Sequence, residues 1–178
     1  IRLYNWRQGH PIPIFASRTT WDNVRRRFDY IFNPLQTGGG IPKILQREIN
    51  EEPFEAEGLE IVPLEVLHGE LPVTGFRFGD FAYVTDASEV PERTIRRMTG
   101  VRYLILNALR YRPHPTHLNV EQATELALRI GAERTWFTHI THDLDHDEVN
   151  SHLPEGIELG YDGLEFDIDA GAPFDPGI

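Results

Sequence analysis

A chain of 178 residues that is 40% hydrophobic is long enough to enclose a buried core, and none of its apolar runs approaches the roughly 20 residues of a membrane span. The formal net charge of −11 argues against a general nucleic-acid binder, whose surface would be basic. The lack of cysteine excludes disulfides and cysteine-ligated zinc. The same lack of cysteine predicts a cytoplasmic location, and no secretory leader is visible in the first residues.

The first third of the chain predicts one strand, one helix and a long loop. Pro11–Ala16 contains two prolines, which favours a short edge strand. A helix follows, because apolar residues recur along one of its faces at Trp21, Val24 and Phe28, with Thr19 or Thr20 near its N-cap. Residues 33–43 contain three consecutive glycines without the GxxxxGK[ST] order of a phosphate-binding loop, so a flexible insertion or lid is expected.

The rest of the chain predicts strands and then an alternation of strands and helices. The expected strands cover residues 54–57, 59–67, 73–79, 80–85, 101–109 and 134–139, followed by a hairpin over 157–168 around Asp162-Gly163. The expected helices cover residues 91–100, 120–131 and 145–153, with Asn119 and Gly131 bounding the second. This order predicts an α/β fold with mixed sheets covered by helices.

Four polar residues each follow an apolar, strand-like run: His68, Asp86, His117 and His139. Imidazole and carboxylate groups held rigidly at strand ends suit zinc, iron or manganese. The set is too small to hold two metal ions, so the rest of such a site is expected to lie before Ile1. Taken singly, the pattern at His68 is more typical of a surface histidine, and that at Asp86 is more typical of a helix cap. Ser88 is the better cap candidate, because Pro91 and Glu92 follow it.

Two polar segments lie close to these residues in the sequence. The stretch after His139 contains residues placed to orient metal ligands through hydrogen bonds, although a solvated loop is the alternative: His142, Asp143 and His146. The loop before His117 is basic and rich in proline, and the helix that follows begins nearby. An anion such as phosphate could bind there through Arg110, Arg112 or His114, although an ordinary connection between strand and helix is an equal alternative.

In this order, five segments resemble the metallo-β-lactamase superfamily, and specifically its phosphodiesterase branch linked to phosphonate breakdown, the phosphoribosyl cyclic phosphate hydrolases. The segments are Leu67–Gly69, Val84–Ser88, Leu109–Leu118, Phe137–Asn150 and Leu153–Gly163. The resemblance implies the αββα sandwich of that family, in an N-terminally incomplete copy, because the family's HxHxDH motif does not occur here. Residues 1–168 would form the C-terminal portion of a single domain, and residues 169–178 a mobile tail.

The resemblance also implies roles for the strand-end residues. His68 matches a ligand of the first metal, Asp86 the carboxylate that bridges two metals, and His139 a ligand of the second. His117 matches a catalytic histidine that acts as general acid or stabilises the transition state. Asn107 stands where relatives often carry aspartate, so a charge near the site would be missing.

The implied cofactors are two divalent metal ions, zinc or manganese with iron as a further option. The implied activity is a metal-dependent phosphodiesterase that uses a two-metal-activated hydroxide on a small cyclic or diester phosphate. Two alternatives stay open at this point. One is a nuclease resembling the tRNA 3′-processing endonuclease, which the acidic composition disfavours. The other is an inactive fragment or binding module. Neither a membrane nor a nucleic acid is an expected partner, and a homodimer is one assembly the chain could form.

Overall fold

The computed structural model describes residues 1–35, 40–169 and 171 of the chain. They form two compact units, which divide after Asn50. Residues 36–39 of the predicted lid, and residues 170 and 172–178 of the predicted mobile tail, lie outside the described residues. Among the described residues, every helix is too short or too polar to cross a membrane.

The first unit contains α1 (Arg2–Gln8), β1 (Ile12–Ala16), α2 (Arg18–Arg27), α3 (Asp29–Phe32) and β2 (Ile44–Glu48). β1 and β2 form a parallel two-stranded sheet, which confirms the proline-containing edge strand. Trp21 of α2 is only 1% exposed, and its indole N–H donates to the Arg47 carbonyl. The predicted cap was wrong, because the Ser17 hydroxyl accepts the Thr20 amide instead. Phe28 ends α2 in a non-helical conformation and lies exposed.

The second unit contains seven strands and three helices in the described residues. These are β3 (Phe54–Ala56), β4 (Leu59–His68), β5 (Leu71–Phe78), β6 (Phe81–Val84), α4 (Glu92–Met98), β7 (Tyr103–Asn107), α5 (Val120–Ile130), β8 (Arg134–Thr138), α6 (His146–His152) and β9 (Ile157–Leu159). The strands form one mixed sheet in sequence order, antiparallel from β3 to β6 and parallel from β6 to β9.

This strand order decides where the site lies. Because β4 and β6 are both antiparallel to β5, they run in the same direction as each other and as β7, β8 and β9. The carboxyl ends of these five strands therefore meet at one edge of the sheet, which we call the carboxyl edge. His68 ends β4, Asn107 ends β7, and Asp86 and His139 follow β6 and β8. The strand directions therefore bring these predicted functional residues to a common edge of the sheet.

One face of the sheet forms the core against the helices. Buried strand residues Leu64, Val84, Leu104 and Phe137 pack with helix residues such as Met98 in a single hydrophobic cluster. Each such side chain contributes about 1.5–3 kcal/mol on burial. The capping prediction for α5 is confirmed, since the Asn119 side chain forms a capping box and Gly131 ends the helix in the left-handed conformation.

The predicted C-terminal hairpin was wrong. A turn does form at Asp162-Gly163, but β9 pairs in parallel with β8, and residues 164–168 form no strand. Phe166 instead places its ring against Trp136 and Tyr103 on the sheet, with ring centroids 4.5 and 5.3 Å apart. Aromatic packing on a distant strand therefore determines the path of this segment.

Candidate functional site

The four predicted side chains meet at the carboxyl edge, but the expectation that His117 follows a strand was wrong, because it lies in the loop between β7 and α5. The Asp86 Oδ1 atom lies 3.3 Å from Nε2 of His117 and 3.5 Å from Nε2 of His139. The His117 ring stacks on that of His139 and meets that of His68 edge-on, with centroids 4.8 and 4.7 Å away. Ligand atoms of His68, Asp86 and His117 all lie within 4.8 Å of one another. Asp86 therefore contacts two of the three histidines through one carboxylate oxygen.

Two of these four residues have unusual backbone conformations. Asp86 has a φ of 57° and His139 a φ of 58°, both in the left-handed region that residues with a Cβ seldom adopt. Such a conformation costs on the order of 1–3 kcal/mol and persists only where its surroundings hold it. Both residues sit directly after a parallel strand, so the left-handed turn aims each side chain across the carboxyl edge.

Asn107 holds the backbone next to Asp86. Its side chain is fully buried, with Oδ1 accepting the Ala87 N–H at 2.8 Å and Nδ2 donating to the Ala87 carbonyl at 3.0 Å. The same carbonyl accepts the Leu118 N–H at 2.7 Å. Ala87 directly follows Asp86, and Leu118 directly follows His117. The hydrogen bond between Ala87 and Leu118 therefore links the two segments. An uncharged amide supplies both the donor and the acceptor that Ala87 requires, whereas a carboxylate would only accept.

Ser88 was predicted as the cap of α4, and this was wrong, because Pro91 occupies the N-cap position. The Ser88 hydroxyl donates to the Leu67 carbonyl and accepts the Gly69 N–H, each at 2.9 Å. These contacts fix the residues on both sides of His68. Ser88 therefore ties the end of β4 to the segment that carries Asp86.

The His117 side chain is only 11% exposed, compared with 44% for Asp86 and 43% for His139. Burial lowers its pKa below the ordinary histidine value, and the nearby His139, His68 and His114 add to this effect. The hydrogen bond with Asp86 acts in the opposite direction without cancelling the shift. At neutral pH the ring is therefore uncharged, which is the form that can bind a metal ion or accept a proton.

The donor set fits a divalent metal ion. Two ligands that each lie about 2.1 Å from a tetrahedral ion are about 3.4 Å from each other. The distances from Asp86 Oδ1 to the two histidine nitrogens are 3.3 and 3.5 Å, which is the spacing of neighbouring ligands. Imidazole and carboxylate ligands suit zinc, manganese and iron alike. The expected ligands were His68, Asp86 and His139, and the structure adds His117 to the atoms within reach.

The other predicted site residues are placed differently. The Arg110 guanidinium donates to the carbonyls of Arg112 and Pro113, so it braces its own loop. Arg112 is 78% exposed and lies 3.8 Å from the Asp143 carboxylate. The N-terminus of α5, predicted to attract an anion, already has an N–H bonded by the Asn119 side chain.

The three residues predicted to orient ligands do not contact the four-residue cluster through any hydrogen bond or ion pair among the described residues. His142 is 97% exposed and lies 3.6 Å from Asp143. His146 points Nε2 at the Leu159 carbonyl, 3.2 Å away, where β9 ends. Their predicted role remains a prediction, and the observed contacts of His146 hold α6 against β9.

Two residues of the site were missed in the sequence. Thr116 contacts the His117 ring directly, with Oγ1 2.9 Å from Nδ1. Ser88 was noticed only as a possible cap. The sequence pointed to them only by their position, since each lies within two residues of a predicted site residue. Short polar side chains next to a functional residue are common in turns, so that signal alone does not separate a role in the site from local turn formation.

Comparisons with known proteins identify the family and the fold of the chain. The family model described as "Beta-lactamase superfamily domain" matches residues 2–140. A crystal structure of a new diphosphatase from the PhnP family has a TM-score of 0.81 and 35% identity, covering 91% of this chain and 60% of that one. Zinc-bound PqqB from Methylobacterium extorquens has a TM-score of 0.64 at 17% identity, covering 92% of this chain and 67% of its own. The PqqB likeness shows the fold alone.

A curated relative is much longer. The octanoyltransferase of Porphyromonas gingivalis (strain ATCC BAA-308 / W83) is 34% identical over 163 residues, which covers 89% of this chain but 32% of that protein. The chain thus spans about a third of this relative and 60% of the diphosphatase. The family model covers well over half of the chain, and the solved structures share its fold. The chain belongs to the beta-lactamase superfamily and has the metallo-β-lactamase fold, as the order of its motifs predicts.

Proposed function

We propose that the chain provides catalytic and metal-binding residues for the hydrolysis of a small phosphate ester or anhydride, with a cyclic phosphate or a diester as the expected class. The observation that carries this proposal is the convergence of Asp86 Oδ1 with the Nε2 atoms of His117 and His139 at the carboxyl edge. The 35% identity to a diphosphatase of the PhnP family supports the phosphate chemistry.

In this proposal His68, Asp86 and His139 hold divalent metal ions, with zinc or manganese as the first candidates and iron as a third. The bound ions would supply Lewis-acid activation of water and of the phosphoryl oxygen. The two carboxylate oxygens of Asp86 allow it to contact two cations and to offset part of their charge. Its Oδ1 atom lies 3.3 and 3.5 Å from the Nε2 atoms of His117 and His139.

His117 is placed to move a proton. Its Nε2 atom faces the cluster, whereas its other ring nitrogen faces Thr116 and His114. A proton carried on Nε2 could pass to the leaving oxygen, and such proton transfer typically contributes about 10²–10⁴-fold to a rate. Being mostly buried, the ring would make this transfer in a site from which water is partly excluded.

Contacts to the phosphate are the least specified part of the proposal. Arg112 is exposed and held by one long ion pair, so it is free to swing towards an anion. Arg110 would act indirectly, by holding the loop that carries His114. A positive Arg112 near the loop is compatible with a small phosphate in an otherwise acidic protein.

Two measurements test the proposal. Titration calorimetry with Zn²⁺ or Mn²⁺ should show binding that Asp86→Asn weakens strongly and that His152→Ala leaves unchanged, since the exposed His152 ring contacts the Glu148 carbonyl within its own helix, α6. Hydrolysis of bis-p-nitrophenyl phosphate should be followed in the longest natural polypeptide that carries this chain. We expect His117→Ala to lower kcat by about 10²-fold or more. Metal-independent turnover, or equal turnover in the wild-type and both site variants, would contradict the proposal.

A further inference from the structure

Two loops of the carboxyl edge are joined at their bases. One connects β7 to α5 and carries His117, and the other follows β8 and carries His139. The Leu109 N–H donates to the Leu118 carbonyl, and the Leu109 carbonyl accepts the Thr141 N–H, each at 2.9 Å. Both loops therefore leave the sheet side by side, next to the four-residue cluster.

The first loop has a stiff backbone and a mobile cation. Pro113 and Pro115 restrict its backbone, and the Arg110 guanidinium donates to the carbonyls of Arg112 and Pro113, each at 3.3 Å. The Arg112 side chain itself stays 78% exposed. Motion at this point is therefore a matter of the Arg112 side chain, while its backbone is held.

A carboxylate from the second loop occupies this cation. The Asp143 Oδ2 atom lies 3.8 Å from the Arg112 Nη2 atom, and its Oδ1 atom lies 3.6 Å from Nε2 of His142. In the part of the chain that the structure describes, Asp143 provides the only ion pair of Arg112. An exposed pair is worth a factor of about 2–5 in an equilibrium constant. An anion that reaches the loop can therefore displace the carboxylate.

We propose that Asp143 is a specificity-determining residue that acts through Arg112, because its carboxylate holds the guanidinium until an anionic phosphate ester displaces it. Carboxylate and phosphate bind the same N–H groups of an arginine, so the two compete. A neutral ester cannot replace the carboxylate and gains nothing from Arg112. This inference rests on the proposed function and names its substrate class as an ester that keeps a negative charge.

Kinetics of the longest natural polypeptide, with metal and bis-p-nitrophenyl phosphate, test the competition. We expect Asp143→Asn to lower KM by about 2–5-fold at low salt with kcat nearly unchanged, because substrate and transition state gain the same contact. The gain should disappear in about 0.5 M salt. Asp147→Asn is the matched control, since it removes the same charge from a fully exposed side chain in α6 and should leave KM unchanged.

A double-mutant cycle shows whether Asp143 acts through Arg112. Arg112→Gln should raise KM and should abolish the effect of Asp143→Asn. An equal effect of Asp143→Asn with and without Arg112 would make Asp143 a simple repulsive charge and overturn the proposal. A fall in kcat at unchanged KM would overturn it as well, and would support the ligand-orienting role that the sequence predicts for Asp143.

A second readout needs neither metal nor turnover. In the chelator-treated chain, phenylglyoxal labelling followed by peptide mass spectrometry measures how available the Arg112 guanidinium is. Asp143→Asn should speed labelling at Arg112 by about 2–5-fold, and Asp147→Asn should not. Dimethyl phosphate, a monoanion, should slow labelling, whereas the neutral trimethyl phosphate should leave it unchanged. Equal labelling in the wild type and Asp143→Asn, or equal effects of the two phosphates, would refute the competition.

The two proposals can fail separately. Labelling that depends on Asp143 and on dimethyl phosphate, in a protein without phosphatase activity, would refute the proposed function and leave the competition for Arg112 standing. Metal-dependent hydrolysis with a KM that Asp143→Asn does not change would do the reverse.

Discussion

The link between Asn107 and Ala87 makes a quantitative prediction. Asn107→Ala removes two buried hydrogen bonds of 2.8 and 3.0 Å. The Ala87 carbonyl keeps the Leu118 N–H, so the main loss falls on the Ala87 N–H, which becomes buried without a partner. An unsatisfied buried donor costs about 1–3 kcal/mol, and the cavity left by the amide adds to this. We expect a total loss of roughly 2–4 kcal/mol in the free energy of unfolding.

Urea unfolding at equilibrium measures this loss. With a slope of about 2 kcal/mol per molar urea, the middle of the usual range, the midpoint should fall by roughly 1–2 M. Coincident curves from circular dichroism and tryptophan fluorescence would justify a two-state treatment. Asn107→Leu separates the two contributions, because it fills most of the volume but makes no hydrogen bonds.

If the hydrogen bonds dominate, both variants should lose a similar free energy of unfolding. A large loss in the free energy of unfolding for Asn107→Ala, with none for Asn107→Leu, would show that packing alone accounts for the effect. An unchanged midpoint in both would refute the idea that Asn107 holds the Asp86 segment. Metal titration of the Asn107→Leu protein adds a functional readout, since a loosened Asp86 should bind Zn²⁺ more weakly.

Three further predictions concern the second unit. Gly75→Ala should cost about 1–3 kcal/mol in urea unfolding, because the new Cβ would lie 2.7 Å from the Tyr83 carbonyl; an equally stable variant would contradict this packing. Arg77→Met should cost roughly 2–4 kcal/mol, because three carbonyls would lose the guanidinium donor, and a smaller loss would mean that water replaces it. Burial lowers the pKa of His117, so in chelator-treated protein the unfolded chain takes up the proton first as the pH falls below about 6.5. Wild-type stability should therefore decline below that pH more steeply than that of His117→Asn, and parallel pH profiles would contradict the lowered pKa.

The edge that carries the site could be predicted because its signals are local. His68, Asp86 and His139 each come directly after an apolar run, and parallel strands bring such positions together without any further information. The metallo-β-lactamase fold was likewise accessible from the order of the motifs. These are cases where a short stretch of sequence specifies both the element and its polar end.

The errors arose where contacts with residues distant in the sequence determine the local structure. The C-terminal hairpin failed because β9 finds its partner in β8 and because Phe166 packs on Trp136, neither of which its own sequence encodes. Asn107 was interpreted only as a missing charge, which stays a prediction, and its two hydrogen bonds with the Ala87 backbone were not foreseen. Ser88 was assigned to the helix that follows it, but its hydroxyl bonds backwards to the end of β4.

The Ala87 carbonyl accepts two hydrogen bonds, and this arrangement has a practical consequence. The amides of Ala87 and Leu118 are both hydrogen-bonded within this link, one to the Asn107 side chain and one to the Ala87 carbonyl. The Leu118 amide can exchange only when the segments carrying Asp86 and His117 separate, whereas exchange of the Ala87 amide requires the Asn107 side chain to move away. Any ion or compound that bridges Asp86 and His117 should therefore slow exchange at the Leu118 amide. Mass spectrometry of this exchange would therefore identify ligands of the site before any substrate is known.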